Sequence, residues 1–341
     1  MWYLFSHIKY FSRHRAEPQA LCAAAGKGDR MSTVDVSRRK AWLMAARPQT
    51  LPVAAAPILV GVGLALDAGV FAPLPALAAF VGATLIQVGT NFANDYYDAI
   101  KGADTDEREG FTRVTQSGLI EPEEVKRAMA LTFALAVLVG TYLVSVGGVP
   151  ILVIGLASIA SGIAYTGGPY PYGYRGLGDL FVFVFFGLVA VTGTYYVQAA
   201  ALLADPFPLW VPPGTVSTEA VVASLPVAAL ATAVLVVNNV RDRETDRETG
   251  KRTLAVLLGY RFSRFEYAAL FALAYLTPLW FLATGFGLPV LLPYLTVPYA
   301  ASVLRTLLSE TSGEALNPAL ERTGKLLAAF AALFAVGLVI G

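Results

Sequence analysis

Only one cysteine and two histidines occur among these 341 residues. They are Cys22, His7 and His14, and all three precede Met31. The rest of the chain has no thiol and no imidazole. That excludes disulfides, haem held by His or Cys, iron–sulfur clusters, Cys-containing zinc sites and histidine acid–base chemistry. Charge is scarce too, at 14% of residues against about 25% in ordinary soluble domains. Net charge is +1, and no basic run interleaved with aromatics occurs, so nucleic acid is set aside as a partner. The tools left are carboxylates, amides, Arg, Lys, Tyr and any hard metal they hold.

Apolar residues are abundant instead, at 56% of the chain with a mean hydropathy of +0.60. A soluble fold cannot hide that much apolar surface, so the chain reads as an all-α polytopic membrane protein. A spanning helix needs about 20 mostly apolar residues. Nine stretches qualify, near 47–67, 73–97, 126–146, 148–166, 179–203, 219–240, 264–284, 287–308 and 323–340. With the N-terminus inside, the outer connections near 66–73, 145–150, 203–219 and 284–288 contain no Lys or Arg. All 25 basic residues then fall on the inner side, which predicts a cell-membrane protein with its polar loops in the cytoplasm.

Residues 1–30 lack the apolar core of a signal peptide, since Trp2–Phe5 is too short a run. From Met31 the chain reads as a short cytoplasmic lead-in. Met31 is therefore the expected physiological start, with a disordered or surface-lying extension as the alternative. Residues 1–40 are expected to form a cytoplasmic segment and 41–341 one transmembrane domain.

Two inner segments are rich in carboxylates. The first runs from Asn91 through Asn94, Asp95, Asp98, Lys101 and Gly102 to Asp104 and Asp106. On a helix Asn94 and Asp98 share a face, and Asn91 and Asp95 form the neighbouring pair. The second holds Asn238, Asn239, Arg241, Asp242 and Asp246, and again two aspartates stand four apart. Mg²⁺ takes oxygen ligands and is usually held by one or two carboxylates plus phosphate oxygens and water. Two such tips facing each other suit Mg²⁺ against a diphosphate. Lys101, Arg241, Lys251 and Arg252 stand near enough in sequence to add phosphate contacts. The competing explanation, solvated loop charge, weakens because the spacing recurs at the ends of two apolar helices on one side of the membrane.

These motifs resemble the UbiA-type superfamily of intramembrane aromatic prenyltransferases. The resemblance is carried by Asn94–Asp104 with Thr112–Ile120, by Tyr165–Asp179, by Asn238–Gly259 and by Ala46–Pro52. It spans roughly residues 40–341, and the intervening stretches favour the naphthoate-prenylating, menaquinone-pathway branch. It implies nine helices around a central cavity with a cytoplasmic cap. It also implies Mg²⁺-dependent transfer from a prenyl diphosphate to 1,4-dihydroxy-2-naphthoate with loss of CO₂. The implied metal ligands are Asn94, Asp98, Asp242 and Asp246, with Asp95 in support. Phosphate contacts fall to Lys101, Arg175, Lys251 and Arg252. Tyr165 would face an allylic cation, Arg113 and Gln116 the acceptor carboxylate, and Asp179 would order its loop or assist proton removal. Gly102 stands where many relatives carry a further Asp, and Tyr174 where they carry a Lys. Rival readings are another aromatic acceptor, such as 4-hydroxybenzoate or homogentisate, and a secondary transporter.

Overall fold

The structure is a computed structural model that describes residues 36–102 and 113–341. Met31, Asp104 and Asp106 lie outside the described residues. Within the compact unit Ser37–Gly341, every regular element among the described residues is helical. In hydrocarbon a spanning backbone must satisfy its own hydrogen bonds, and helices do this within one segment.

The chain enters through α1 (Arg38–Ala46), whose first turn is capped by the Ser37 hydroxyl accepting from Lys40 N. It turns sharply at Arg47, a non-glycine residue in the left-handed region with φ 53°. α2 (Leu51–Asp67) and α3 (Pro73–Ile100) follow, each with Pro in its first turn, where no hydrogen-bond donor is needed. α4 (Pro122–Ala164) has 43 residues, which unbroken would run about 65 Å, twice the hydrocarbon thickness. It breaks at Gly148 (φ 64°, ψ −151°), where the second of the two predicted spans begins. There Pro208 O accepts from Val149 N and Ser145 O from Phe207 N, both at 3.0 Å. A side chain at Gly148 would run into the Pro208 carbonyl.

α5 (Gly178–Val182) passes through a wide π-helical turn (Phe183–Val189) into α6 (Ala190–Leu203). α7 (Thr218–Arg241) follows, then the short α8 (Arg243–Glu248) and α9 (Leu254–Ala283), capped by Thr253. A 3₁₀ stretch (Leu288–Thr296) leads into α10 (Val297–Ser309), and α11 (Gly313–Ile340) ends the chain. Eight helical stretches are long and apolar enough to span, and α4 supplies two arms. α4 thus covers two of the nine expected spans in one kinked helix. α9 and α11 begin about ten residues before their predicted spans. α9 breaks at Gly259 (φ 78°, ψ 175°), with Arg261 and Arg264 just beyond, and α11 opens on Glu314 and Asn317, so neither lead-in joins the apolar window.

The core gathers α2, α6, α7, α9 and α11, with Leu64, Leu230, Tyr267, Phe330 and Phe334 fully buried. α7 is its spine, and its alanines let neighbouring backbones approach closely. α4 lies at the rim, with Leu131, Leu138 and Val153 about two-thirds exposed and available to lipid acyl chains. Gly187 in the π turn packs directly on Ala228 of α7, and a Cβ there would sit 2.8 Å from Ala228 N. Gly187→Val should cost about 1–3 kcal/mol by overpacking. It should lower the melting temperature of detergent-solubilised protein, whereas Gly193→Val, where a Cβ meets only open space, should leave it near wild type.

Candidate active site

The C-terminal end of α3 and the tip formed by α7 with the short α8 that follows it meet at one end of the bundle. Asp98 and Asp246 come from tips far apart in sequence, yet the Lys251 ammonium lies 3.8 Å from an oxygen of each. The two carboxylates therefore cannot be farther apart than twice that distance. Both are buried, as is Lys251. Asp98 Oδ2 also accepts from Arg113 Nη2 at 2.9 Å, and its Oδ1 accepts from the Tyr174 hydroxyl. Buried charges persist only when paired and hydrogen-bonded, and each acid of this cluster has such partners.

Asp95 shares the Arg113 guanidinium with Asp98 and is held chiefly by Thr115. Its Oδ2 accepts from Thr115 N at 3.2 Å and from the Thr115 hydroxyl at 2.6 Å. Its Oδ1 lies 3.8 Å from Arg47 and 4.0 Å from Arg113. Asp242 is gripped by its neighbour Arg241 through a fork of 2.7 and 2.8 Å. Arg241 also donates to Asn238 Oδ1 at 2.9 Å and to Asn317 Oδ1 of α11 at 3.0 Å. Its guanidinium is thus engaged by protein oxygens rather than facing outward, as a phosphate ligand would. Asn94 Oδ1 accepts from the Thr166 hydroxyl at 3.0 Å.

The loop between α4 and α5 closes over these tips. Lys101 Nζ donates to Thr166 O at 2.5 Å and to Gly168 O at 3.4 Å. A 3₁₀ turn (Tyr172–Arg175) follows, with about three residues per turn, so consecutive side chains point about a third of a turn apart. Tyr174 accordingly turns inward, while Arg175 is exposed and stacks on Tyr170, 4.1 Å from the ring centroid. Arg252 is also exposed, and its backbone N donates to Tyr174 O at 2.9 Å. Gln116 is half-buried beside Thr115. Asp179 is buried, with Asn239 Nδ2 at 3.5 Å from Oδ2, and its Oδ1 has no hydrogen-bond partner among the described residues.

Beneath the tips lies a cavity of about 880 Å³, bounded by α2, α3, α4, α6, α7 and the π turn. Its walls are mainly aliphatic and aromatic, including Ile58, Ile86, Phe185 and Phe186. Asn94, Arg113, Asn238, Arg47 and Tyr165 supply polar lining groups. Tyr165 meets Tyr172 edge to face at 5.4 Å. Tyr165 thus brings an aromatic ring to the cavity wall.

No three acidic side chains among the described residues converge tightly enough to hold a metal by themselves. The donor set is oxygen-only and split between two tips. That suits a hard divalent ion sharing its coordination with phosphate oxygens and water. Thr115, Thr166 and Asn317 carry no signal in the sequence alone, and neither do the contacts of Arg47 and Tyr174. Only the Arg-Pro step at the start of the first span hinted at Arg47.

Residues 54–319 match the UbiA prenyltransferase family. A 1,4-dihydroxy-2-naphthoate octaprenyltransferase of Escherichia coli (strain K12) is 40% identical over 91% of this chain and 98% of its own length. The protein of that name from Mycobacterium tuberculosis is 39% identical over 88% and 97%. Human UbiA prenyltransferase domain-containing protein 1 is 31% identical over 88% and 83%. Among solved structures, an apo UbiA homologue from Aeropyrum pernix K1 superposes with a TM-score of 0.59 at 16% identity, covering 85% and 97% of the two chains. A UbiA homologue from Archaeoglobus fulgidus bound to DMAPP and Mg²⁺ gives 0.54 at 15% identity, covering 86% and 99%.

Proposed function

The chain belongs to the UbiA prenyltransferase family, and from that premise we propose that it transfers a polyprenyl group to 1,4-dihydroxy-2-naphthoate with loss of CO₂, in menaquinone biosynthesis. The observation that carries the chemistry is the single ammonium of Lys251 standing 3.8 Å from both Asp98 and Asp246. Two acidic helix tips meet over an apolar chamber, as a diphosphate head and its hydrocarbon tail require. The acceptor is supported by the naphthoate-named relatives, which align over nearly their whole length.

Asn94, Asp98, Asp242 and Asp246 would hold Mg²⁺, which when bound neutralises the diphosphate and stabilises it as a leaving group. Lys251 reaches the same diphosphate from the buried side, and Lys101, Arg175 and Arg252 from exposed positions. The allylic C–O bond breaks, a ring carbon of the acceptor attacks, and diphosphate and CO₂ depart. The aliphatic walls keep water from the allylic cation. Arg113 and Gln116 orient the acceptor carboxylate, Asp179 orders the α4–α5 loop or assists proton removal, and the site faces the cytoplasm.

Mass spectrometry of the product formed from dihydroxynaphthoate and a prenyl diphosphate with Mg²⁺ tests this reading. A prenylated product lacking the mass of CO₂ supports it. Product only from 4-hydroxybenzoate or homogentisate would move the acceptor and leave the prenyl transfer standing. Tyr165 gives a second test, because a ring face stabilises a nearby cation. Tyr165→Phe should keep turnover within about threefold of wild type, whereas Tyr165→Leu should lose about tenfold or more. The comparison is of kcat at saturating substrates.

A further inference from the structure

Tyr174 stands where the functional groups of both tips converge, and the reaction outlined above leaves it without a task. Its hydroxyl donates to Asp98 Oδ1. The Lys251 ammonium lies 5.0 Å from its ring centroid and the Lys101 ammonium 5.5 Å. Its carbonyl accepts from Arg252 N. One side chain thus touches the acid of the α3 tip, the lysine that follows it, and the lysine that follows α8.

We propose that Tyr174 is a positioning residue with two separable tasks: its hydroxyl fixes Asp98 for the metal, and its ring gathers Lys101 and Lys251 onto one diphosphate. This rests on the reading of the site as a metal–diphosphate site. The physical case begins with repulsion, since two ammonium groups drawn to one spot oppose each other. An aromatic face attracts cations without adding formal charge. It can therefore hold both lysines close while leaving their positive charge for an arriving anion, whereas a carboxylate in the same place would cancel it. The hydroxyl acts on a different partner. Asp98 has Arg113 on Oδ2 and Tyr174 on Oδ1, and two donors on opposite oxygens set the plane of its carboxylate.

The two tasks come apart in two variants of the full chain in detergent micelles. Tyr174→Phe keeps the ring and removes one oxygen, and Tyr174→Leu removes both functions. Mn²⁺ affinity is read by electron paramagnetic resonance, and affinity for inorganic pyrophosphate without metal by titration calorimetry. The Phe variant should bind Mn²⁺ about tenfold more weakly, as expected for a lost hydrogen bond to a charged group. Its metal-free pyrophosphate affinity should stay within about twofold of wild type. The Leu variant should lose about tenfold in both. Wild-type affinities in both variants, or equal losses of both ligands in the Phe and Leu variants, would overturn the proposal. Failure of the wild-type protein to bind Mn²⁺ and pyrophosphate at all would instead overturn the site reading beneath it.

Discussion

Asp98→Asn and Asp246→Asn should each reduce metal-dependent prenyl transfer by at least about a thousandfold, through loss of most of the charge stabilisation a bound metal provides. The amide is chosen over alanine for a structural reason. Asp98 is buried against Arg113 and Tyr174, and removing its whole side chain would disturb packing as well as chemistry. Asparagine keeps the shape and one acceptor oxygen but has no charge to offer a cation. Turnover is measured with prenyl diphosphate and dihydroxynaphthoate at several Mg²⁺ concentrations. Excess Mg²⁺ should not restore it, because the ligand itself is gone. Undiminished transfer by both variants would remove the two tips from the mechanism.

The second large effect concerns stability. Arg241→Leu should destabilise the protein by about 3–5 kcal/mol, the usual cost of breaking a buried ion pair from one side. The Arg241 side chain is 1% exposed and that of Asp242 3% exposed, so solvent screens neither. The fork to Asp242 and the bond to Asn317 go together. A lower unfolding temperature in detergent is the expected readout. Arg241→Leu combined with Asp242→Asn should recover part of the loss, since the buried negative charge then disappears as well. If Arg241 were chiefly a phosphate ligand, the single variant would melt like wild type and show only a raised KM for prenyl diphosphate.

Much of this fold can be read from hydropathy. The long apolar runs, the break at Gly148 and the two acidic tips follow from composition and spacing, because lipid imposes a simple code. The partners of the buried charges do not follow. Arg241 reads as a phosphate ligand when only its sequence neighbours are known. It is a clamp because Asn317 lies 76 positions away and arrives only through folding. Arg175 and Tyr174 are adjacent, and only the tight turn decides which of them faces the acids. Arg47 occupies a backbone conformation that sequence gives no reason to expect of an arginine. Its neighbourhood explains the tolerance: Asn91 donates to Ala46 O at 2.9 Å and Thr50 N to Arg47 O at 2.9 Å.

The link between Arg241 and Asn317 also bears on synthesis. Asn317 belongs to the last helix, which packs back on the first span, with Gly63 of α2 set tightly against Ala335 of α11. A ribosome releases the two acidic tips well before it releases that helix. Until α11 packs, Arg241 lacks the amide of Asn317. The clamp on Asp242 is thus complete only once α11 has packed against α7.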